Sequence, residues 1–544
     1  MVFARRSATV LAAIATVCAM VFSLTACASD NKTIPDGQTT VTSDSVGSVA
    51  LFTPSDGITL NQQTPLNKWA KLAPDLIRAL VAAGFKKSDI NHTTSDSLDK
   101  QSRAIQDFVV DHLSNNGSAD NSGIAITPDN MTLLVAPMVE ADASTRQYGD
   151  YVSQELCAGD STSEGTDSSD DQSAGSSSDS TDTSAYSSSD SADAVQAQAV
   201  DRLVSSLKLA KESGMHVVLL GSSIKGYKPD AFVKFSDAQA IGKLQAEKMA
   251  SKLELDKASK ENPKRIEVLL PYTAADEKGG TGDSAFAQEA FRGIWQVLGP
   301  YFKKGVVESP SGTLNSGSTQ DDWQAVAYDA AKEGSTAKVL DGRLEKSAGQ
   351  SSPTRIDGVI AMNDYIASEV VKELDDLGYT GSAADINPQI TISGIVGNIT
   401  GKRDLSRDAV PDPIKSPEND NTSDSADSSA DTGKDSSSDK AKDAQWPLVT
   451  GYGAYVANIP SIVNGKQWMT GMEDRQTIAT DLAEACVKLN KGEALKTMPS
   501  VRNTEVGGFK KVPTISKSLL AVSASNLKVT LIDPGYISLA DAGL

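Results

Sequence analysis

Histidine is nearly absent from this 544-residue chain: His92, His112 and His216 are the three, and no pair has the H-E-x-x-H spacing of a catalytic zinc site. Positive charge is also short, with 51 Lys and Arg against 71 Asp and Glu, a net charge of −20. That balance excludes nucleic acid as a natural partner and gives no reason to expect an anionic lipid surface as ligand. Catalytic constellations are missing too. Gly221-Ser222-Ser223-Ile224-Lys225 starts like a nucleophile elbow but has Lys225 where glycine is required. Gly279-Gly280-Thr281-Gly282 lacks the G-K-[S/T] of a phosphate loop, and acidic pairs such as Asp276-Glu277 are too common to signal a glycosidase. No enzyme activity, no metal and no cofactor is therefore expected.

The start of the chain is distinctive. Arg5 and Arg6 precede a nearly apolar run from Ala8 to Leu24, and Leu24-Thr25-Ala26-Cys27 closes it. The run has the length of a signal-peptide core rather than of a membrane span. Small residues before a cysteine are the pattern of a bacterial lipoprotein signal. Residues 1–26 are expected to be removed, Cys27 to carry lipid on its sulfur, and residues 27–47 to be a polar stalk. Acyl chains contribute about 0.8 kcal/mol per buried CH2, so several hold firmly to the cell membrane. The protein would then work outside the cytoplasm. An ordinary secretory signal and an uncleaved anchor are the other readings of the same residues. Of four cysteines, Cys18 leaves with the signal and Cys27 takes the lipid. Cys157 and Cys486 remain, either as a disulfide or with Cys486 as a buried thiol beside Ile478, Leu482 and Leu489 on one helical face.

The acidity is uneven. Residues 158–193 carry nine acidic and no basic side chains, and residues 416–443 carry eight acidic and three basic ones. These Ser/Asp tracts have almost no large apolar residues to offset the entropy of ordering, so both are expected to be disordered insertions. Elsewhere short apolar strands alternate with amphipathic helices. Strands are predicted at 48–53, 131–136, 216–220, 265–270 and 356–361. Helices are predicted at 65–84, 98–113, 200–213, 237–253, 285–298 and 365–377. This rhythm means parallel sheets covered on both faces, and the number of units exceeds one compact sheet. The fold class is α/β with two doubly wound parallel-sheet lobes.

A ligand held between such lobes meets polar side chains at the C-terminal ends of the strands. A sugar also needs aromatic faces for its CH surface and donors and acceptors for its hydroxyls. The candidates are Trp69, Asp96, Ser222, Ser223, Asn363, Asp364, Tyr452 and Tyr455.

Several segments, in order, resemble the extracytoplasmic sugar-binding proteins of ABC importers, in the xylose and multiple-sugar branch of the periplasmic-binding-protein type 1 fold. They are Leu66-Asn67-Lys68-Trp69, Leu133-Leu134-Val135-Ala136-Pro137, Val233-Lys234-Phe235-Ser236-Asp237 and Gly242-Lys243-Leu244-Gln245-Ala246. Ala361-Met362-Asn363-Asp364, Pro447-Leu448-Val449-Thr450-Gly451, Ile459-Pro460-Ser461-Ile462 and Gly465-Lys466-Gln467-Trp468-Met469-Thr470 continue the series. Val512-Pro513-Thr514 and Leu531-Ile532-Asp533-Pro534-Gly535-Tyr536 complete it. The resemblance implies a three-segment hinge, closure on a small carbohydrate-like ligand, and membrane subunits of an importer as partners of a monomer. It places a first lobe at 48–221 plus 470–495 and a second at 222–469 plus 512–544, with crossings near 220–224, 469–474 and 493–512. Two departures concern the ligand. Gly221-Ser222 stand where many members have Asp-Arg, and Tyr452-Gly453 where the family has Gln-Asp. Loss of charged partners for hydroxyls implies a remodelled pocket, or an extracytoplasmic sensor or adhesion lipoprotein whose sugar cleft has degenerated.

Overall fold

A computed structural model describes residues 46–55, 65–114, 130–139, 143–152, 154–157, 188–274, 284–330, 332–345, 352–383 and 444–543. The signal segment, Cys27 and nearly all of the stalk lie outside these residues, as do 158–187 of the first acidic tract and all of the second. The last residues of the first tract, expected to be disordered, instead open the helix Ser188–Glu212.

The apolar strands assemble into two separate sheets. The first holds, in spatial order, Val501–Val506, Phe509–Ser516, Ala231–Lys234, His216–Leu220, Met131–Val135, Ser48–Pro54 and Ile90–Ser95. The second holds Val307–Glu308, Lys264–Val268, Gly358–Ile360, Leu448–Tyr452, Met469–Met472 and Leu520–Ser523. Pairing is parallel throughout except for the hairpin 501–516 and the last strand of the second sheet. Central strands are buried along their whole length, as in Met131–Val135 and Leu448–Tyr452, because helices cover both faces. The first sheet has an apolar layer on each side. One gathers Leu72, Leu76, Leu80, Ile478 and Leu482, the other Ile105, Val109, Leu203 and Leu207. The helices Trp69–Ala82 and Arg475–Asn490 lie together, tied by a buried Asp75–Arg475 pair at 2.7 Å.

The topology corrects the expected lobe boundaries. Ala231–Lys234, expected in the second lobe, pairs with His216–Leu220 in the first sheet. Residues 501–506, read as part of a crossing, form a strand that pairs with Phe509–Ser516, which in turn pairs with Ala231–Lys234. The chain therefore passes between sheets at 235–237, 473–474 and 517–519. A strand's partner is set by long-range hydrogen bonding, which local composition does not encode.

Cys157 and Cys486 are both free thiols, so the disulfide reading is withdrawn. Cys486 is fully buried in the apolar layer with Ile478, Leu482 and Leu489, whereas Cys157 is exposed. Burial pushes the Cys486 thiol up. In native protein lacking residues 1–27, a thiol reagent should modify Cys157 quickly and Cys486 only on unfolding. A thiol count of zero in unreduced, denatured protein would refute the assignment.

Candidate functional site

The second sheet delivers its strand ends to the region between the sheets. After Gly358–Ile360 the chain turns through Met362, a non-glycine residue at φ +65°, into the helix Asp364–Asp376. Asn363 caps that helix, its Oδ1 accepting from the Ile366 N–H at 2.9 Å. Its Nδ2 is thereby left to point away and donates at 3.0 Å to Oε1 of Gln147, from the other half of the molecule.

Asp364 is fully buried, and both of its carboxylate oxygens are engaged. Oδ1 accepts from Gln467 Nε2 at 2.7 Å. Oδ2 accepts from the Tyr455 N–H and from Thr470 Oγ1, each at 2.8 Å. Burial pushes the Asp364 carboxyl up to about 6, while these donors hold it down. Asn458 closes the network, donating to the Asp364 carbonyl and to Gln467 Oε1. Segments noted for their resemblance, 361–364, 465–470 and the loop after 447–451, thus meet at one carboxylate. Its chemistry is to fix the loop that carries Tyr455, not to face a ligand.

Tyr455, so fixed, donates its hydroxyl to the Gln147 carbonyl at 2.8 Å. Tyr452 ends the neighbouring strand, and its hydroxyl lies 2.8 Å from Ser236 Oγ and 3.4 Å from Glu473 Oε1. Ser236 sits in the first crossing and Glu473 in the second. Glu473 accepts from the Ser236 N–H at 2.7 Å and from its hydroxyl, while its own N–H donates to Asn67 Oδ1 at 3.2 Å. Burial raises the Glu473 carboxyl and the Tyr452 phenol. Two of the three connecting segments are thereby bonded to each other and to both halves.

From the first sheet comes Trp69, at the start of its helix. Its indole packs edge-on against Tyr151 and Phe235, at 5.1 and 5.9 Å between centroids. Ser222 is buried after the turn at Gly221, which lies beside the Trp69 ring. Ser223 instead joins a small side sheet with Glu155–Leu156. Asp96 is exposed and paired with Lys100 at 2.7 Å. The structure therefore joins Asp364 and Tyr455 in one network next to Asn363, seats Tyr452 on the crossings, keeps Trp69 and the buried Ser222 on the first half, and leaves Asp96 and Ser223 apart. The residues missed in sequence are Asn67, Gln147, Tyr148, Ser236 and Glu473. Asn67 and Ser236 stand inside the quoted segments, and the aromatics Tyr148 and Tyr151 stand out in a polar stretch.

The arrangement offers amide, phenol and hydroxyl groups beside aromatic rings. Among the described residues no group of His, Cys, Asp and Glu could hold a metal ion.

Two half-structures joined by three crossings, with polar groups of both halves meeting at strand ends, form the two-lobed α/β arrangement that the resemblance to the periplasmic-binding-protein type 1 fold implies. No family model matches the chain. The resemblance to extracytoplasmic sugar-binding proteins holds. The chain is similar to the multiple sugar-binding periplasmic protein SbpA of Azospirillum brasilense, 24% identical over 337 residues that cover 61% of this chain and 70% of the relative. It is similar also to the D-xylose-binding periplasmic protein of Haemophilus influenzae, 33% identical over 88 residues, 16% of this chain and 25% of that one. Among solved structures, a solute-binding protein from Clostridium phytofermentans with bound β-D-glucose superposes with a TM-score of 0.45 at 17% identity, covering 91% of this chain and 99% of that one. A carbohydrate transporter solute-binding protein from Chloroflexus aurantiacus in complex with D-glucose gives 0.43, also at 17% identity, covering 91% and 97%.

Proposed function

We propose that this chain is a lipid-anchored solute-binding protein of an ABC importer that takes a small carbohydrate between its halves. The observation that carries the reading is the convergence of Asn363 and Tyr455 from one half with Gln147 from the other, beside the rings of Tyr148 and Tyr452. Donors and acceptors of this kind match sugar hydroxyls, and the aromatic faces match its CH surface. Hinge bending at the three crossings opens and shuts the site. Lipid on Cys27 keeps the protein at the membrane face where the importer's membrane subunits lie. The similarity to a multiple sugar-binding protein supports the solute class.

A second reading is an extracytoplasmic sensor or adhesion lipoprotein with a degenerate cleft. It is favoured by the fact that the chain's own Gln147 occupies the Asn363 and Tyr455 side chains. A thermal-shift screen separates the two. Protein lacking residues 1–27 is heated with mono- and oligosaccharides, and with amino acids and nucleosides as controls. A sugar present at 100 times its Kd should add about 2.7 kcal/mol of stability. No shift with any carbohydrate leaves the second reading.

A further inference from the structure

We propose that residues 143–152 form a strap that occupies the solute's place between the halves and must leave it for solute to bind. The inference deepens the solute-binding reading and rests on it for the identity of the competitor. The strap follows the strand Met131–Val135 of the first sheet, and it touches both halves in different ways.

On its own half the strap is anchored firmly. Asp150 meets Lys68 Nζ at 3.0 Å and accepts from the Trp69 N–H at 3.1 Å, where the helix begins. Its own N–H donates to the Asn67 carbonyl at 2.7 Å, and the Tyr151 hydroxyl donates to the Lys68 carbonyl. Gly149 makes this seating feasible. It holds φ +105°, and a Cβ there would lie 2.6 Å from both Cβ and the carbonyl oxygen of Asn67.

Against the other half the contacts are of the replaceable kind. Asn363 Nδ2 and the Tyr455 hydroxyl each donate to Gln147, one to its side chain and one to its backbone. The Tyr148 ring lies 4.6 Å from Phe286 and 6.3 Å from Tyr452, within the apolar cluster of the second half. A hydroxylated ring compound offers two acceptors and an apolar face in their place. The exchange would then be nearly neutral in hydrogen bonds, so affinity is governed by how readily the strap lifts. In the absence of solute the same contacts hold the halves together.

The test uses Gly149→Ala, which blocks seating while removing no contact, and Gln147→Ala, which removes one bond and keeps the anchor. Hydrogen exchange and X-ray scattering are measured on the ligand-free protein. In Gly149→Ala the amides of 143–152 should exchange at least about tenfold faster and the radius of gyration should rise, while the helix Arg475–Asn490 keeps its protection. Unchanged strap exchange and an unchanged radius in both variants would overturn the proposal. Next, D-glucose, D-xylose and D-ribose are added. Any that binds should speed strap exchange in the parent protein and bind Gly149→Ala about tenfold more tightly. Slower strap exchange on saturation would show the strap closing over solute rather than yielding to it, and would also overturn the proposal. If none of the three binds either protein, the sugar reading suffers, and the ligand-free comparison still decides the strap. Should Gly149→Ala fail to fold, Gln147→Ala carries the same comparisons.

Discussion

Asp364→Asn should lower the unfolding free energy by about 3 kcal/mol, because it turns a buried acceptor into a donor facing donors. Gln467 Nε2, the Tyr455 N–H and Thr470 Oγ1 surround the carboxylate from three directions. An amide can serve one side only and must set its NH2 against the other. Urea unfolding of parent and variant measures the change as a shift of midpoint at constant slope. Thr470→Val, which removes one donor to the carboxylate and the acceptor of the Ala454 N–H, should cost about 2 kcal/mol. An Asp364→Asn variant as stable as the parent would show that the loop carrying Tyr455 is held by something else. The pH profile gives an independent check. The folded-state value of about 6 stands above the ordinary 3.8, so between these the folded form holds more protons than the unfolded one. Stability from this group therefore falls as pH rises through that window and is level above it. Asp364→Asn should remove that slope.

Gly293→Ala should be comparably damaging, by about 3 kcal/mol, for a reason of packing rather than charge. The helices Ala238–Lys252 and Ser284–Lys304 touch backbone to backbone. A Cβ on Gly293 would sit 2.0 Å from the Gln239 carbonyl oxygen, and one on Gly242 would sit 2.1 Å from the Ala290 carbonyl oxygen. Neither neighbour is a side chain that can swing aside, so the helices must part. Parting them costs the contacts of Ile241, Ala287 and Ile294 in the cluster below. Gly242→Ala should behave alike, and the double variant should cost clearly less than the sum, since one separation admits both methyl groups. Strict additivity in chemical unfolding would contradict a shared interface.

Much of the architecture is legible in the chain because the buried strands are short and the helices carry apolar stripes. The expected strand at 216–220 coincides with His216–Leu220, and the expected helix at 365–377 differs from Asp364–Asp376 by one residue at each end. What local pattern does not carry is partnership. Ala231–Lys234 looks like any apolar strand, and only its pairing puts it in the first sheet. The hairpin 501–516 has polar residues at Arg502, Asn503 and Lys510 because it lies at the sheet's edge, so its strand character is weak in sequence.

The site divides in the same way. Asn363 and Tyr455 follow strands and Tyr452 ends one, so all three can be named from that position alone. The inward turn of Asp364 is hidden, because a carboxylate at a strand end reads equally as ligand contact or as internal anchor. Gln147 and Tyr148 escape notice because they lie in a segment without periodicity, placed by Gly149 and Asp150 rather than by a strand or a long helix.

The interleaving of the two halves bears on biosynthesis. Strands 48–234 cannot complete their sheet until the hairpin at 501–516 has been made, nor cover one face until residues 478–489 are available. The second sheet likewise waits for Leu520–Ser523 to pair with Met469–Met472. A ribosome that stalls anywhere before residue 500 releases a product with an open sheet edge and a bare apolar layer. Such fragments are substrates for aggregation and proteolysis rather than half-functional pieces. Neither sheet can therefore be completed before residues 501–523 have been made.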